Sequence, residues 1–175
     1  MPDGTDRVMV DIETLGRGPG CAILSIGAVR FNTYGPGRTF DRSIDLTSCE
    51  DAGLTLDAET LEWWLDQDDD AQHVLTGGDP LDDVLTDFAD WLGDVEEIWA
   101  NSPAFDCAIL AAAYEALGRD VPWEFWQERD VRTLRALPGA VDLEHEGVTH
   151  DALDDAVHQA REVAETLQAL QEANP

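Results

Sequence analysis

The chain has 175 residues and carries 10 basic against 38 acidic side chains, which gives a formal charge of −28 at pH 7. Its length favours one domain, which we predict to fill residues 1–175 with a core over about 7–173, and its 43% hydrophobic residues exclude a disordered acidic tail. The first seven residues hold no apolar segment, and the longest apolar run, 108–113, is far too short to cross a bilayer. We therefore predict neither a signal peptide nor a membrane anchor.

The first third of the chain has the pattern of β-strands. Apolar and polar side chains alternate over 8–13, so Asp11 and Glu13 are predicted to point to the same face of a first strand. Glycine-rich turns over 16–20 and 35–37 separate two further β-rich segments. These second and third strands are predicted over 22–31 and 39–46. Together the three segments predict an antiparallel meander.

Helical periodicity begins after these strands. Asp57 can cap a helix whose inner face carries Leu61, Trp64 and Leu65. The acidic run over 66–70 is predicted to be a solvated loop. A second helix is marked by the apolar residues Leu81, Val84, Leu85, Phe88 and Leu92.

The second half of the chain places one strand between helices. Residues 97–101 are typical of a short buried strand, and Ser102 followed by Pro103 predicts the start of a helix that ends at Gly118. A last helix is predicted over about 151–172, with an apolar stripe along one side. This order of elements predicts an α/β fold, with a mixed sheet that has an antiparallel N-terminal meander and is flanked by helices.

The cysteines and the net charge indicate the redox state and the salt concentration in which the protein works. Cys21, Cys49 and Cys107 are odd in number and lack the paired spacing of a zinc site, which fits a reducing cytoplasm. All ten basic residues are arginine, and about one uncompensated negative charge per 300 Å² of surface favours a protein adapted to high salt. We predict a cytoplasmic protein of a halophilic microbe, or of its virus in the host cytoplasm. A chelator of basic partners or a nucleic-acid mimic is the alternative.

One carboxylate pair stands out from an acidic background. The pattern Asp-x-Glu occurs four times, but only Asp11 and Glu13 lie within an alternating apolar strand, where both carboxylates can bind one cation. The pair at 57 and 59 fits helix capping, and the other two fit surface charge. A solvent-facing strand side is the plain alternative for Asp11 and Glu13.

One of the four histidines has a distinctive position. His150 stands before the last predicted helix, and Asp155 follows it five residues later. A base on the loop beside a metal ligand on the helix suits this spacing, although a surface histidine is the plain alternative. Asp106 lies near the start of a predicted helix, where a favourable interaction with the helix dipole would also explain it.

Taken in order, these segments resemble the DEDDh 3′-5′ exonucleases, which include ribonuclease T and polymerase proofreading subunits. The motifs are 10–16 (VDIETLG), 23–29 (ILSIGAV), 99–106 (WANSPAFD) and 150–156 (HDALDDA). Compact bacteriophage and mycobacterial exonucleases are the most similar, through 60–64 (TLEWW), 122–126 (PWEFW) and 129–134 (RDVRTL). The resemblance spans about residues 7–165 and implies an RNase H-like fold.

The resemblance also implies the chemistry. It makes Asp11, Glu13, Asp106 and Asp155 the ligands of two divalent cations, Mg²⁺ or Mn²⁺, and His150 the general base. Asp154 is a neighbouring candidate that the family spacing disfavours. The implied activity is stepwise hydrolysis from the 3′ end of single-stranded DNA or RNA, releasing nucleoside 5′-monophosphates. A non-catalytic acidic module that keeps the fold is the alternative, and a homodimer is an option for which the sequence marks no interface.

Further residues are candidates for substrate binding. By resemblance, Thr14 and Leu15 contact the terminal nucleotide, with closure of the strand as an equal alternative for Leu15. Arg129, Arg132 and Arg135 have a spacing of three that suits one helical face binding phosphates, and internal ion pairs are the alternative. Four tryptophans are candidates for stacking on bases: Trp63, Trp64, Trp123 and Trp126. We predict Trp64 to be core from its helical spacing. Stacking and core roles stay open for Trp123 and Trp126.

Overall fold

A five-stranded mixed sheet organises the chain in a computed structural model that describes residues 7–173. The strands are β1 (Arg7–Thr14), β2 (Ile23–Asn32), β3 (Gly35–Ser43), β4 (Glu97–Ala100) and β5 (Glu128–Asp130), in the spatial order β3-β2-β1-β4-β5. The pairs β1–β2 and β2–β3 are antiparallel, whereas β4 runs parallel to β1 and β5 runs parallel to β4. The antiparallel meander and the mixed sheet are therefore as predicted.

Seven α-helices in the described part of the chain surround this sheet. They are α1 (Leu46–Asp51), α2 (Ala58–Leu65), α3 (Asp69–Gln72), α4 (Leu81–Leu92), α5 (Asp106–Ala116), α6 (Val131–Arg135) and α7 (Ala152–Ala173). Short 3-10 turns lie at His73–Leu75 and Phe125–Gln127. None of the helices within residues 7–173 is long and apolar enough to span a membrane. The prediction of no signal peptide concerns the first seven residues, of which 1–6 lie outside the described part of the chain.

The two faces of the sheet carry separate groups of buried apolar side chains. On one face, Val8, Val10 and Ile12 of β1 pack within the larger core, which includes the five predicted apolar residues of α4. On the other face, Met9 packs with Trp99 and with the alanine-rich side of α7. Because successive side chains of a strand point to opposite faces, Asp11 and Glu13 share the face of Met9 and lie under α7.

Gly27 allows α7 to approach this face. A Cβ atom at Gly27 would lie 2.2 Å from backbone atoms of Ala152 and Leu153, so a residue with a side chain would push the start of α7 away. Gly27 is the cross-strand partner of Asp11. The close approach therefore brings the first turns of α7 directly over the part of β1 that carries the carboxylates.

Several predicted boundaries were wrong for local reasons. The third strand ends at Ser43 rather than Leu46, because the Asp45 side chain accepts a hydrogen bond from the Ser48 backbone N–H and caps α1. The helix expected from Ser102 begins at Asp106. Residues 102–105 instead form a turn in which the Ser102 carbonyl accepts from the backbone N–H of Phe105 and Asp106.

The helix predictions are mostly confirmed. Asp57 caps α2 by accepting from the Glu59 backbone N–H at 3.0 Å, and Trp64 is buried. Leu65 was wrongly assigned to the inner face, since it is 58% exposed. Gly118 follows α5 with a φ of +67°, a conformation that favours glycine. The acidic run over 66–70 is exposed, but its last two residues begin α3.

The three cysteines are free thiols. Cys21, Cys49 and Cys107 are all buried within the larger core. Their role in this structure is therefore packing.

Candidate active site

The C-terminal half of β1 extends beyond its parallel neighbour. The pairing between β1 and β4 ends at Met9 and Trp99, and the chain after β4 turns away through 101–105. Asp11 and Glu13 follow on the α7 side of the sheet, beyond that last pair. A cleft therefore opens between the end of β1, the turn after β4 and the start of α7.

Side chains from four parts of the chain converge in this cleft. It has a volume of about 300 Å³ and its walls include all five of the predicted catalytic residues. Those five are Asp11, Glu13, Asp106, His150 and Asp155. Ligand-type atoms of Glu13, His150 and Asp155 all lie within 4.8 Å of one another. A larger groove of about 590 Å³, between the β2–β3 turn and the C-terminal half of α7, contains none of these residues.

Asp106 is the first residue of α5 and is positioned by the turn over 102–105. Its two carboxylate oxygens accept backbone N–H groups of Ile12 and Ser102, each at 3.4 Å. Both hydrogen bonds favour the ionised carboxylate. The turn after β4 thus directs Asp106 towards the part of β1 that extends beyond β4.

Burial raises the pKa of three carboxyl groups in the cleft, and repulsion between carboxylates adds to this rise for Asp11 and Glu13. Burial, followed by repulsion from Asp106 and Glu13, holds the pKa of Asp11 well above its usual value. Burial, together with Asp155 and Asp106, raises the pKa of Glu13 to about 8. Burial raises the pKa of Asp106 to about 6, although the N–H groups of Ser102 and Ile12 and the charge of Arg132 oppose this rise. The cleft therefore concentrates buried acidic groups whose ionised forms repel one another.

Gln159 of α7 orients Asp11. Its Nε2 atom donates a hydrogen bond of 2.9 Å to Asp11 Oδ1 and lowers the pKa of that carboxyl group. The Gln159 Oε1 atom is buried without a hydrogen-bond partner in the described part of the chain. A buried acceptor beside several carboxylates suits a hydrated cation. The position of Gln159, one helical turn after Asp155, is the signal that could have revealed it from the sequence.

His150 has an unusual backbone conformation. Its φ of +65° lies in the left-handed region, and it is the only non-glycine residue with positive φ within 7–173. Its ring meets Trp63 edge to face at 4.9 Å and Trp64 at 6.4 Å. Strained backbone of this kind concentrates at functional sites, and the two tryptophans fix the imidazole at the mouth of the cleft.

Asp155, and not Asp154, faces the cleft. The Asp154 carboxylate accepts the Val148 backbone N–H at 2.8 Å and so secures the loop that precedes α7. Asp155 instead accepts a hydrogen bond of 2.7 Å from His145 Nε2. His145 was missed in the sequence, where nothing links it to Asp155 ten residues later.

The two residues after the carboxylate pair serve the fold. Thr14 Oγ1 donates to the Gly16 carbonyl at 2.7 Å, and the Thr14 carbonyl accepts from Trp64 Nε1 at 2.9 Å. Leu15 is completely buried in the core, which fits the alternative that it closes the strand, and its contact with substrate stays a prediction. A substrate contact from Thr14 stays a prediction.

The three arginines were predicted to share one helical face, but the structure places them on different elements. Arg129 lies on β5, where hydrogen bonding to β4 overrides the helical spacing, and its guanidinium pairs with Glu97 at 3.6 Å. Arg135 of α6 pairs with Glu162. Arg132, also on α6, lines the cleft and is exposed. Arg132 is therefore the arginine of the three that faces the carboxylates.

Trp123 and Trp126, for which both stacking and core roles were open, differ in burial. Trp123 is 7% exposed and donates to Glu128 at 3.0 Å, so it belongs to the core. Trp126 is 61% exposed and lies beside the exposed Phe125. The prediction that Trp64 is core is confirmed by its burial.

The fold and the acidic cleft place the chain in the RNase H-like class of nucleases. Among solved structures it is similar to the nuclease domain of 3′hExo, a DEDDh family member, bound to rAMP. The TM-score is 0.63 at 16% identity, over 96% of this chain and 94% of the other. No curated protein shows significant sequence similarity to the chain.

A family comparison gives the narrower assignment. Residues 6–167 match the 3′-5′ exoribonuclease Rv2179c-like domain, and the chain belongs to this family. It is therefore a hydrolase and a 3′-5′ exonuclease of the DEDDh type, and nucleic acid is its class of substrate. Membership supports an enzyme over the non-catalytic alternative.

Proposed function

We propose that the protein shortens single-stranded RNA from its 3′ end with two divalent cations, Mg²⁺ or Mn²⁺, and releases nucleoside 5′-monophosphates. The observation that carries this proposal is the convergence of Asp11, Glu13, Asp106, Asp155 and His150 in one cleft. The description of the family as exoribonucleases supports RNA as the substrate.

The cleft residues fit divalent cations. Several carboxylates with raised pKa values repel one another until positive charge joins them, and Gln159 Oε1 adds a buried acceptor without a partner in the described chain. Oxygen-rich sites favour Mg²⁺ or Mn²⁺ over softer metals. Asp11, Glu13, Asp106 and Asp155 would hold the cations in this assignment.

Each side chain then has a defined task. Two cations, when bound, would stabilise the negative charge on the attacking and leaving oxygens. His150 takes a proton from the attacking water, and attack on phosphorus breaks the bond to the 3′ oxygen of the penultimate nucleotide. Arg132 attracts the phosphate of the scissile link. Trp63 lies beside His150 and is partly exposed, and it offers an aromatic surface on which the terminal base can stack.

Digestion of 5′-labelled RNA and DNA single strands of equal sequence tests this proposal. We expect Mn²⁺- or Mg²⁺-dependent shortening in single-nucleotide steps from the 3′ end, with RNA cut faster than DNA. A matched strand with a 3′-phosphate separates true 3′-end recognition from internal cleavage. Absence of cleavage by a folded protein would contradict the proposal, whereas faster cleavage of DNA would contradict the substrate alone.

Substitution of Arg132 by alanine is expected to raise KM for RNA about tenfold with little change in kcat, since one charge-assisted phosphate contact is worth about 1.4 kcal/mol or more. Arg129→Ala is the matched control, because Arg129 does not line the cleft and pairs with Glu97 instead. Steady-state kinetics on a short RNA measure both variants. Equal effects of the two substitutions would show that the cleft position of Arg132 is unimportant.

We also propose that the protein is adapted to high salt, as its charge of −28 and its lack of lysine suggest. Raising KCl from roughly 0.1 M to 1 M shortens the screening length from about 10 Å to about 3 Å. Thermal unfolding should therefore occur several degrees higher, and the exonuclease should be more active, in molar KCl. A non-ionic osmolyte is the control for general exclusion effects. Full stability and activity in dilute buffer would refute the adaptation.

A further inference from the structure

We propose that His145 is a positioning residue that holds Asp155 in the orientation needed to bind a divalent cation, an inference that rests on the proposed function. His145 Nε2 lies 2.7 Å from Asp155 Oδ1. Because an ionised carboxylate only accepts hydrogen bonds, Nε2 carries the proton. One oxygen of Asp155 is thereby engaged, and a carboxylate oxygen of Asp155 lies within 4.8 Å of ligand-type atoms of Glu13 and His150.

Backbone contacts on both sides fix the position of His145 along α7. Two residues earlier, the Leu143 N–H donates to Glu162 Oε1 at 3.4 Å, and three residues later the Val148 N–H donates to Asp154 at 2.8 Å. Both acceptors belong to α7. The irregular loop before the helix is therefore held against it where the imidazole meets Asp155.

A second histidine supports the ring of His145. The rings of His145 and His158 are 4.7 Å apart, and His158 Nε2 lies 3.5 Å from Glu162. Glu162 is buried and also pairs with Arg135, whose Nη1 donates to Asn101 Oδ1 at 2.8 Å. Asn101 lines the opposite wall of the cleft. These contacts link Asp155, through the two histidine rings, Glu162 and Arg135, with the turn after β4.

The orientation of Asp155 matters because it lies in the first turn of α7, where its side chain can otherwise adopt several rotamers. Hydrogen-bond partners of metal ligands typically change metal affinity or activity by about 10- to 100-fold when they are removed. Among the described residues, His145 is the only side chain with a hydrogen bond to Asp155. Its loss should therefore weaken cation binding more than RNA binding.

Two substitutions separate hydrogen bonding from packing. His145→Phe retains a ring against His158 but has no donor, whereas His145→Gln retains an N–H donor but has no ring. We expect calorimetric titration of Mn²⁺ into the protein, without RNA, to show about 10- to 100-fold weaker binding for H145F and near-normal binding for H145Q. With RNA, the half-maximal Mn²⁺ concentration should shift equally, while KM for RNA at saturating Mn²⁺ stays unchanged.

Glu146→Gln is the matched control in the same loop. Glu146 is exposed and pairs with Arg161 of α7, so its substitution loosens the loop without touching Asp155. Wild-type Mn²⁺ affinity in H145F, or equal weakening in E146Q, would overturn the inference. A wild-type protein that neither binds Mn²⁺ nor shortens RNA would instead overturn the proposed function, and this inference with it.

Discussion

Replacing Asp11 by asparagine is expected to abolish exonuclease activity and, at the same time, to stabilise the metal-free protein. Activity should fall at least about 10³-fold, because the loss of a cation ligand removes roughly 4 kcal/mol of transition-state stabilisation. Stability should rise because burial and the neighbouring carboxylates oppose the charge on Asp11. Asparagine keeps an oxygen that can accept the hydrogen bond from Gln159. A gain of about 2 kcal/mol would raise Tm by roughly 4–8 °C.

The same cluster sets the pH dependence of this stability. The pKa of Glu13 rises from 4.5 to about 8 in the folded protein, and that of Asp106 rises from 3.8 to about 6. Between its unfolded and its folded pKa, each carboxyl group is protonated in the folded state and ionised in the unfolded state. The folded state therefore binds more protons, and the contribution of the cluster to stability decreases as pH rises. We expect the metal-free wild type to lose stability from about pH 4.5 to pH 8, and D11N to lose less.

Thermal unfolding without metal and with Mn²⁺ measures both effects. Mn²⁺ should raise Tm of the wild type and leave that of D11N almost unchanged. Asp90→Asn is the control, because it removes the same charge from an exposed position on α4. A D11N protein that melts with the wild type in the absence of metal would show that the cluster is not under electrostatic stress. Retention of a tenth of the activity would remove Asp11 from the proposed ligands.

The predictable part of the site consists of residues whose relation is local in sequence. Alternation on β1 places Asp11 and Glu13 on one face, which follows from the geometry of a single strand. Asp155 lies in the first turn of α7 and His150 in the loop just before it, so their separation in sequence is short. The resemblance to the exonucleases then supplied Asp106, which no local pattern singled out.

The unpredicted part depends on contacts between distant segments. Arg129 lies off the expected helical face because β5 pairs with β4, and α5 begins at Asp106 because residues 102–105 form a turn closed by the Ser102 carbonyl. His145 reached Asp155 through a loop without regular secondary structure. Local propensity cannot foresee such choices, because tertiary contacts overrule it.

Replacing His150 by asparagine is expected to lower kcat by about 10²- to 10⁴-fold, the usual contribution of a general base. Asparagine adopts the left-handed conformation more readily than most residues, so the loop at φ +65° should keep its shape. Binding of Mn²⁺ should be much less affected than in D11N, because the four carboxylates remain. Single-turnover cleavage of a short RNA in saturating Mn²⁺ measures the chemical step directly.

A glycine at the same position tests whether the imidazole itself is required. Glycine also accepts positive φ, and the space it leaves is bounded by Trp63 and Trp64, which contact the ring in the wild type. Free imidazole should therefore restore part of the activity of H150G and none of that of D11N. His73→Gly, at an exposed histidine, controls for general effects of the substitution. Wild-type kcat in H150N, or absence of rescue in a folded H150G that still binds Mn²⁺, would mean that another group accepts the proton from the attacking water.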